Sequence, residues 1–380
     1  MHGLVGWTGN HTAPNQVYRV RRATGLLGTM RILILKPSSL GDVVLAVPVL
    51  RSLKKAYPAS EIYWWLSSDL LSLLEGDPDL TGIIPFRRRQ WHSWSNVRHL
   101  VTDIRRLRRL QFDWIIDLQG LFRSALFGWL VHGKVFVGLS DYGEGAHFYF
   151  DVPVERTHDK VHAKDYYLAA LTPLNVPIAH DFEWLPLRPR IHEAILSAFP
   201  VRERRLVVLV PGARRANKRW PIHNFIDLVG RLAADCQDLQ FAVLGGPADR
   251  ELGELIHQAI PDRCWDLAGK TTLAEMIEWI RLSTLVVTND SGPMHVAAAL
   301  AKPVVAIFGP TEPCLTGPDG QLGHVLQAKL PCVPCMKDRC HHWPRLECLH
   351  VITPAMVHEA ALRHLRTSGD RSAANRPGRS

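Results

Sequence analysis

Leu285 to Pro310 reads LVVTNDSGPMHVAAALAKPVVAIFGP: an apolar strand ending at Asn289-Asp290, a Ser-Gly-Pro turn, a helix of small residues and a second apolar strand. Strands this apolar are buried on both faces, which suits a parallel sheet covered by helices. Ligands collect at the carboxyl ends of such strands, where Asp290, Ser291 and Gly292 fall. The N–H groups of the helical turn that follows Ser291 and Gly292 are open to an anion, whereas the Asp290 carboxylate repels phosphate and suits sugar hydroxyls. The stretch predicts a βαβ unit with a diphosphate cradle and a hydroxyl acceptor in one loop. Taken alone it also fits an ordinary crossover whose helix has an Asp N-cap.

Two further segments repeat the pattern. Arg205 to Val210 (RLVVLV) runs into Pro211-Gly212-Ala213 and then the cations Arg214, Arg215, Lys218 and Arg219 before Trp220-Pro221. A strand, a glycine turn and clustered cations make a second anion site. Arg31 to Lys36 (RILILK) enters Pro37-Ser38-Ser39-Leu40-Gly41-Asp42 and then an apolar helix from Val43 to Tyr57. Gly41 permits close backbone approach, and Asp42 is expected to open the helix. Strands are predicted at 31–35, 61–66, 82–85, 114–117 and 134–138, with helices at 43–57, 97–110 and 121–131 between them. A second set of strands follows at 206–210, 240–244, 264–266, 284–288 and 304–308, alternating with helices at 222–236, 248–259, 273–281 and 294–301. The Pro- and Arg-rich stretch 175–204 is the expected hinge.

A chain of 380 residues, 47% hydrophobic, exceeds what one core usually serves and divides naturally into two α/β domains. Residues 1–29 lack an apolar core of secretory-signal length and read as a disordered extension ahead of Met30. Residues 367–380, rich in Ser, Gly, Pro and Arg, read as a disordered tail. No apolar run has the length of a membrane-spanning helix. The net charge of +9 points to an anionic partner. The arginines at 87–89, 105, 106, 108, 109 and 123 lie in the N-terminal half, and no nucleic-acid-binding module is present, so nucleic acid is not the expected partner. Asp77-Pro78-Asp79 has Asp-x-Asp spacing but reads as a turn. Cys332-x-x-Cys335, Cys340 and Cys348 have a spacing that permits a zinc or iron-sulfur site, with reduced structural thiols as the favoured reading.

MRILILKPSSLGD (30–42), DLQGLFRSAL (117–126), PGARRANKRWP (211–221), LGGPADRE (244–251), LAGKTTLAE (267–275) and NDSGPMHVAAAL with FGPTEP (289–313) together resemble the ordered signature of the family 9 glycosyltransferases, the ADP-heptose:lipopolysaccharide heptosyltransferases. The resemblance runs from Met30 to about Arg366. It implies a GT-B fold, two Rossmann-like domains facing each other across a cleft: an acceptor-binding domain over 30–180, a linker over 181–204 and a nucleotide-sugar-binding domain over 205–366. It further implies Asp42 as catalytic base and Lys218 as the cation on the departing diphosphate, with Gly212, Arg214, Asp249 (ribose), Asp290 (donor hydroxyls), Ser291, Gly292 and His295 around the donor. Ser39, Gly41, Gln119 and Arg123 would face the acceptor. No metal or other cofactor is implied for the catalytic step. The implied partners are ADP-heptose and a Kdo- and phosphate-bearing lipid A core at the cytoplasmic face of the inner membrane. Another nucleotide sugar, a non-catalytic binder of the same fold, and the heptose position filled all stay open at this stage.

Overall fold

The computed structural model describes residues 29–86, 97–141, 144–201 and 203–374, and the arginines at 87–89 lie outside them, as do residues 1–28 of the extension expected over 1–29. The chain builds two all-parallel sheets of six strands each. The first contains β1 (Arg31–Leu35), β2 (Glu61–Ser67), β3 (Gly82–Phe86), β4 (Phe112–Asp117), β5 (Gly133–Leu139) and β6 (Val152–Val154) in the order β3-β2-β1-β4-β5-β6. The second contains β7 (Arg205–Val210), β8 (Leu239–Val243), β9 (Cys264–Asp266), β10 (Leu285–Asn289), β11 (Val304–Phe308) and β12 (Val325–Gln327) in the order β12-β11-β10-β7-β8-β9. Renumbered from its own first strand, each sheet has the Rossmann order 3-2-1-4-5-6, whose direction of winding reverses between the first and fourth strands. The switch points therefore fall between β1 and β4 in one sheet and between β7 and β10 in the other. This is the GT-B arrangement.

The apolar runs behave as their composition demands. From Ile32 to Leu35 and from Leu285 to Val287, every side chain is fully buried. Helices cover both faces of each sheet, and one continuous core cluster joins residues of β1 and its helix, Val43 to Leu53, to Met294, Val296 and Ala306 of the second domain.

The stretch expected as a flexible linker carries a helix, Pro189–Ala198, preceded by Arg188, whose guanidinium donates to the carbonyls of Ser72 and Leu73 at 2.7 and 2.8 Å. Fully buried Glu278 is the counter-charge there, 3.2 Å from His192 and 3.1 Å from Arg281. The linker helix is thus tied to Ser72 and Leu73 of the first domain through Arg188 and to Glu278 of the second through His192. The last helix, Pro354–Ala374, continues past residue 366, where the polar composition had suggested a disordered tail. Asp77 and Asp79 form the turn expected of them, both clasped by Arg51 at 2.5 and 2.7 Å.

Candidate active site at the paired switch points

On the N-terminal side the helix starts three residues earlier than the sequence suggests, at Leu40, with Ser39 as its N-cap. Asp42 is thus the third helical residue, not the cap. Its Oδ2 accepts the Ser39 N–H at 3.0 Å and the Ser39 hydroxyl at 2.6 Å, the reach-back of a capping box. Its Oδ1 accepts the Tyr167 hydroxyl at 2.9 Å. Burial alone would raise its pKa, but the nearby Lys36 ammonium and the Ser39 and Tyr167 hydrogen bonds outweigh burial and hold it below the usual carboxylate range. Asp42 is therefore ionised at neutral pH and fixed in orientation.

Lys36 closes the switch point. It is buried, donates to the Leu118 carbonyl at the end of β4 at 3.0 Å, and lies 4.5 Å from the Tyr167 ring centre. Burial pushes its pKa down, against the pull of Asp42 and Asp117. Asp117 accepts the N–H groups of Gln119 and Gly120 at 2.8 and 3.1 Å through Oδ1, and burial raises its pKa to about 6. Oδ2 of Asp117 and Oε1 of Gln119 are buried without hydrogen-bond partners among the described residues.

The C-terminal switch point is laced by Asn289, which accepts the Trp220 N–H at 3.0 Å and donates to the Pro211 carbonyl at 2.7 Å. Two bonds from one buried amide hold both ends of the cationic loop 211–220 against the end of β10. That loop delivers Lys218 to Asp290, whose Oδ2 accepts from the ammonium and, at 2.6 Å, from the Thr311 hydroxyl. In Asp290, the residue expected to suit sugar hydroxyls, Oδ2 thus carries both of these bonds. The helix behind it spans Gly292–Ala299, and no side chain caps its first turn. Gly212 backs onto Asp249: a Cβ there would stand 2.4 Å from the Asp249 carboxyl carbon, so a carboxylate sits tight against the donor-side turn.

The two switch points meet. A Cβ on Gly41 would lie 2.4 Å from the His295 ring, and one on Gly292 would lie 2.7 Å from Leu40. Each glycine admits a side chain from the opposite domain, so the N-termini of the two helices face each other. His295 lies within electrostatic reach of Asp42, Asp290 and Lys218, yet burial, the dominant influence, lowers its pKa to about 4, leaving it neutral at pH 7. Its Nδ1 has no partner among the described residues. A second bridge runs beside the first: His162 Nε2 lies 3.1 Å from the Gly317 carbonyl and Lys164 lies 2.7 Å from Asp319. His162 and Lys164 open the short helix Ala163–Ala169, which carries Tyr167 to Asp42.

The structure therefore gathers Ser39, Gly41, Asp42, Gln119, Gly212, Lys218, Asp249, Asp290, Ser291, Gly292 and His295 at the two switch points. Arg123 and Arg214 are exposed at its margins, and Arg215 is turned outward onto Asp338. Lys36, Tyr167, Asn289 and Thr311 were not singled out from sequence. Lys36 had a signal, a lysine ending a wholly apolar strand, whereas Tyr167 had none, since 125 residues separate it from Asp42. The clustered cysteines, whose spacing permits a metal, are free thiols, and among the described residues no group of three or more His, Cys, Asp or Glu is placed to hold a metal. Cys348 is buried against the C-terminal core, while Cys340 Sγ accepts the Leu346 N–H at 3.4 Å.

The comparisons with known proteins agree with this geometry. Residues 101–344 match the model of glycosyltransferase family 9 (heptosyltransferase). The chain is 30% identical over 308 residues to lipooligosaccharide heptosyltransferase 2 of Haemophilus influenzae, covering 76% of this chain and 86% of the relative. It is 27% identical to lipopolysaccharide heptosyltransferase 1 of Pseudomonas aeruginosa, covering 84% and 89%. Among solved structures, E. coli ADP-heptose lps heptosyltransferase II superposes with a TM-score of 0.71 at 26% identity, covering 90% of this chain and all of that one. An iron-containing glycosyltransferase, TibC of enterotoxigenic E. coli, shares the fold at 14% identity with a TM-score of 0.54. With its paired Rossmann sheets, and the family's model matched from β4 of the first sheet through all of the second, the chain belongs to glycosyltransferase family 9, the heptosyltransferases, and is a glycosyltransferase.

Proposed function

We propose that this enzyme transfers heptose, with inversion, from ADP-L-glycero-D-manno-heptose to a sugar of the lipopolysaccharide inner core. The observation that carries this reading is the opposition of Asp42 and Lys218, an anchored carboxylate on one switch point and a cation on the other. In an inverting displacement the acceptor hydroxyl attacks the anomeric carbon from the side away from the diphosphate. The new C–O bond forms as the bond to the diphosphate breaks, the hydroxyl proton passes to Asp42, and ADP departs with its charge met by Lys218. The N–H groups behind Ser291 and Gly292 add their partial charge to the same end.

The Lys218–Asp290 contact has a place in this sequence. An arriving diphosphate draws the ammonium to itself and frees Asp290 Oδ2 for heptose hydroxyls, so the donor itself prepares the sugar subsite. Gly212 and Arg214 suit the diphosphate, and Asp249 suits the ribose. Neutral His295 supplies a ring nitrogen to the sugar without adding charge. Ser39, Gly41, Gln119 and Arg123 belong to the acceptor side, where Arg123 suits an anionic Kdo or phosphate. The side-chain chemistry assigned here needs no metal. The acceptor places the enzyme at the cytoplasmic face of the inner membrane, and no helix among the described residues is long and apolar enough to cross one.

Calorimetric titration with ADP, UDP and GDP tests the donor: ADP is expected to bind at least tenfold more tightly than the others, and ADP-heptose to be consumed with a Kdo-containing lipid A acceptor. A preference for UDP or GDP would overturn the donor assignment. Tyr167→Phe tests the setting of the base. Losing a hydrogen bond to a charged carboxylate should lower kcat on the order of tenfold. Because that bond holds the Asp42 pKa down, the acid limb of the kcat/KM profile should move to higher pH. An unmoved limb would mean that Tyr167 does not tune Asp42.

A further inference from the structure

The side of the first domain that continues from the acceptor loop carries aromatic side chains that the core leaves uncovered. Phe148 is 82% exposed, Trp129 53% and Phe122 40%. They form one surface rather than scattered points. The Tyr149 ring lies 5.7 Å from Phe122 and 6.0 Å from Trp129, centre to centre, and Phe148 directly precedes Tyr149, with the exposed His147 ring 4.0 Å from its own. The turn Ala146–Tyr149 is pinned to the helix Phe122–Val131 by its packing and by Glu144, which accepts the Phe122 N–H at 3.3 Å.

Cations border this surface. Arg108 donates to the Leu130 carbonyl at 2.6 Å, which sets the helix Val97–Arg108 alongside Trp129. Ile104 and Leu107 of that helix are buried, while Arg105, Arg106, Arg108 and Arg109 are exposed. At the other end of the patch, exposed Arg123 stands three residues beyond Gly120, whose N–H is bonded to Asp117 at the switch point.

From this arrangement we infer that Phe122, Trp129, Phe148 and Tyr149, bordered by Arg105, Arg106, Arg108 and Arg109, form a docking face for an anionic lipid bilayer. Rings with one apolar and one polar end settle at the headgroup level of a membrane, where a protruding phenylalanine reaches the acyl boundary. Each arginine near an anionic leaflet adds to the attraction. The charge on this face decides the occupant: a run of exposed guanidinium groups beside exposed aromatics complements phosphate headgroups over hydrocarbon, and the patch leads directly to the loop that would receive a lipid-anchored acceptor. The inference rests on the acceptor being lipid-borne, as proposed above. Docked in this way, the enzyme would take its acceptor from the leaflet without extracting the lipid into water.

The test is co-sedimentation of the full-length protein with vesicles of phosphatidylglycerol and phosphatidylethanolamine, against vesicles of phosphatidylcholine alone, at low and at high salt. Binding should favour the anionic vesicles at least tenfold, and Trp129→Ala with Phe148→Ser should lower it about tenfold. Arg105→Gln with Arg106→Gln should weaken binding at low salt and matter little at high salt, because screening already removes that attraction. The Trp129→Ala, Phe148→Ser protein should turn over a delipidated, water-soluble acceptor at the normal rate, showing that it is folded and that its site is intact. Equal binding to both kinds of vesicle, or unchanged sedimentation of the aromatic variant, would overturn the docking face. Vesicle binding through the patch by a protein that transfers no heptose would instead leave the docking face standing and overturn the proposed reaction.

Discussion

Replacing Asp42 with Asn is expected to lower kcat by about a thousandfold or more, with ADP affinity within a few fold of the native enzyme. The substitution is nearly isosteric, and its amide oxygen can still accept the Ser39 N–H, so the helix start should survive with a modest loss of capping. What disappears is the proton acceptor. The buried Lys36 ammonium also loses the carboxylate that offsets its burial, and with Asp117 as its remaining acidic neighbour its pKa should fall further. The distinction between base and cap is therefore experimental. A cap alone predicts a small stability loss and near-native turnover, whereas a base predicts near-native stability and almost none. Chemical denaturation and initial rates on one preparation separate them, and near-native turnover would remove Asp42 from the mechanism.

Much of this was legible in the sequence because the information is local. A parallel strand buried on both faces has to be apolar along its whole length, so RILIL, RLVVLV and LVVTN announce β1, β7 and β10, and the loops after them announce the switch points. What escaped was short or distant. The strands β6 and β12 have three residues each, sit at sheet edges, and take their pairing from neighbours already in place. The helix Pro189–Ala198 was hidden by flanking prolines that suggest a linker, although proline in the first turn of a helix removes no needed N–H. Asp42 was misread by one structural role: the pattern Ser-x-x-Asp is a capping-box start, so Ser39 caps and Asp42 reaches back. Tyr167, Thr311 and the glycine contacts between the domains depend on tertiary placement, and no spacing in the chain records them.

Lys218→Ala should cost turnover about a hundredfold or more, from the loss of the cation on the departing diphosphate, and should also weaken ADP binding. It should destabilise the protein as well. The Asp290 side chain is only 6% exposed, and removing Lys218 leaves Thr311 as its remaining side-chain donor, a loss of about 2–4 kcal/mol. Those two consequences are separable. Asp290→Asn added to Lys218→Ala removes the orphaned charge and keeps an oxygen for Thr311, so the denaturation midpoint should recover most of the way while kcat stays low. Asp290→Asn alone should lower kcat as well, since an amide meets the heptose hydroxyls less strongly, but it should leave ADP binding intact or tighter, because Lys218 no longer has to be drawn from a carboxylate before it can meet the diphosphate. If Asp290→Asn instead weakened ADP binding, the exchange of Lys218 between carboxylate and diphosphate would be wrong, and Asp290 would have to act by holding the lysine in place for the nucleotide. The sign of that single change in affinity therefore decides whether the short contact across β7 and β10 is a latch that the donor opens or a brace that the donor needs closed.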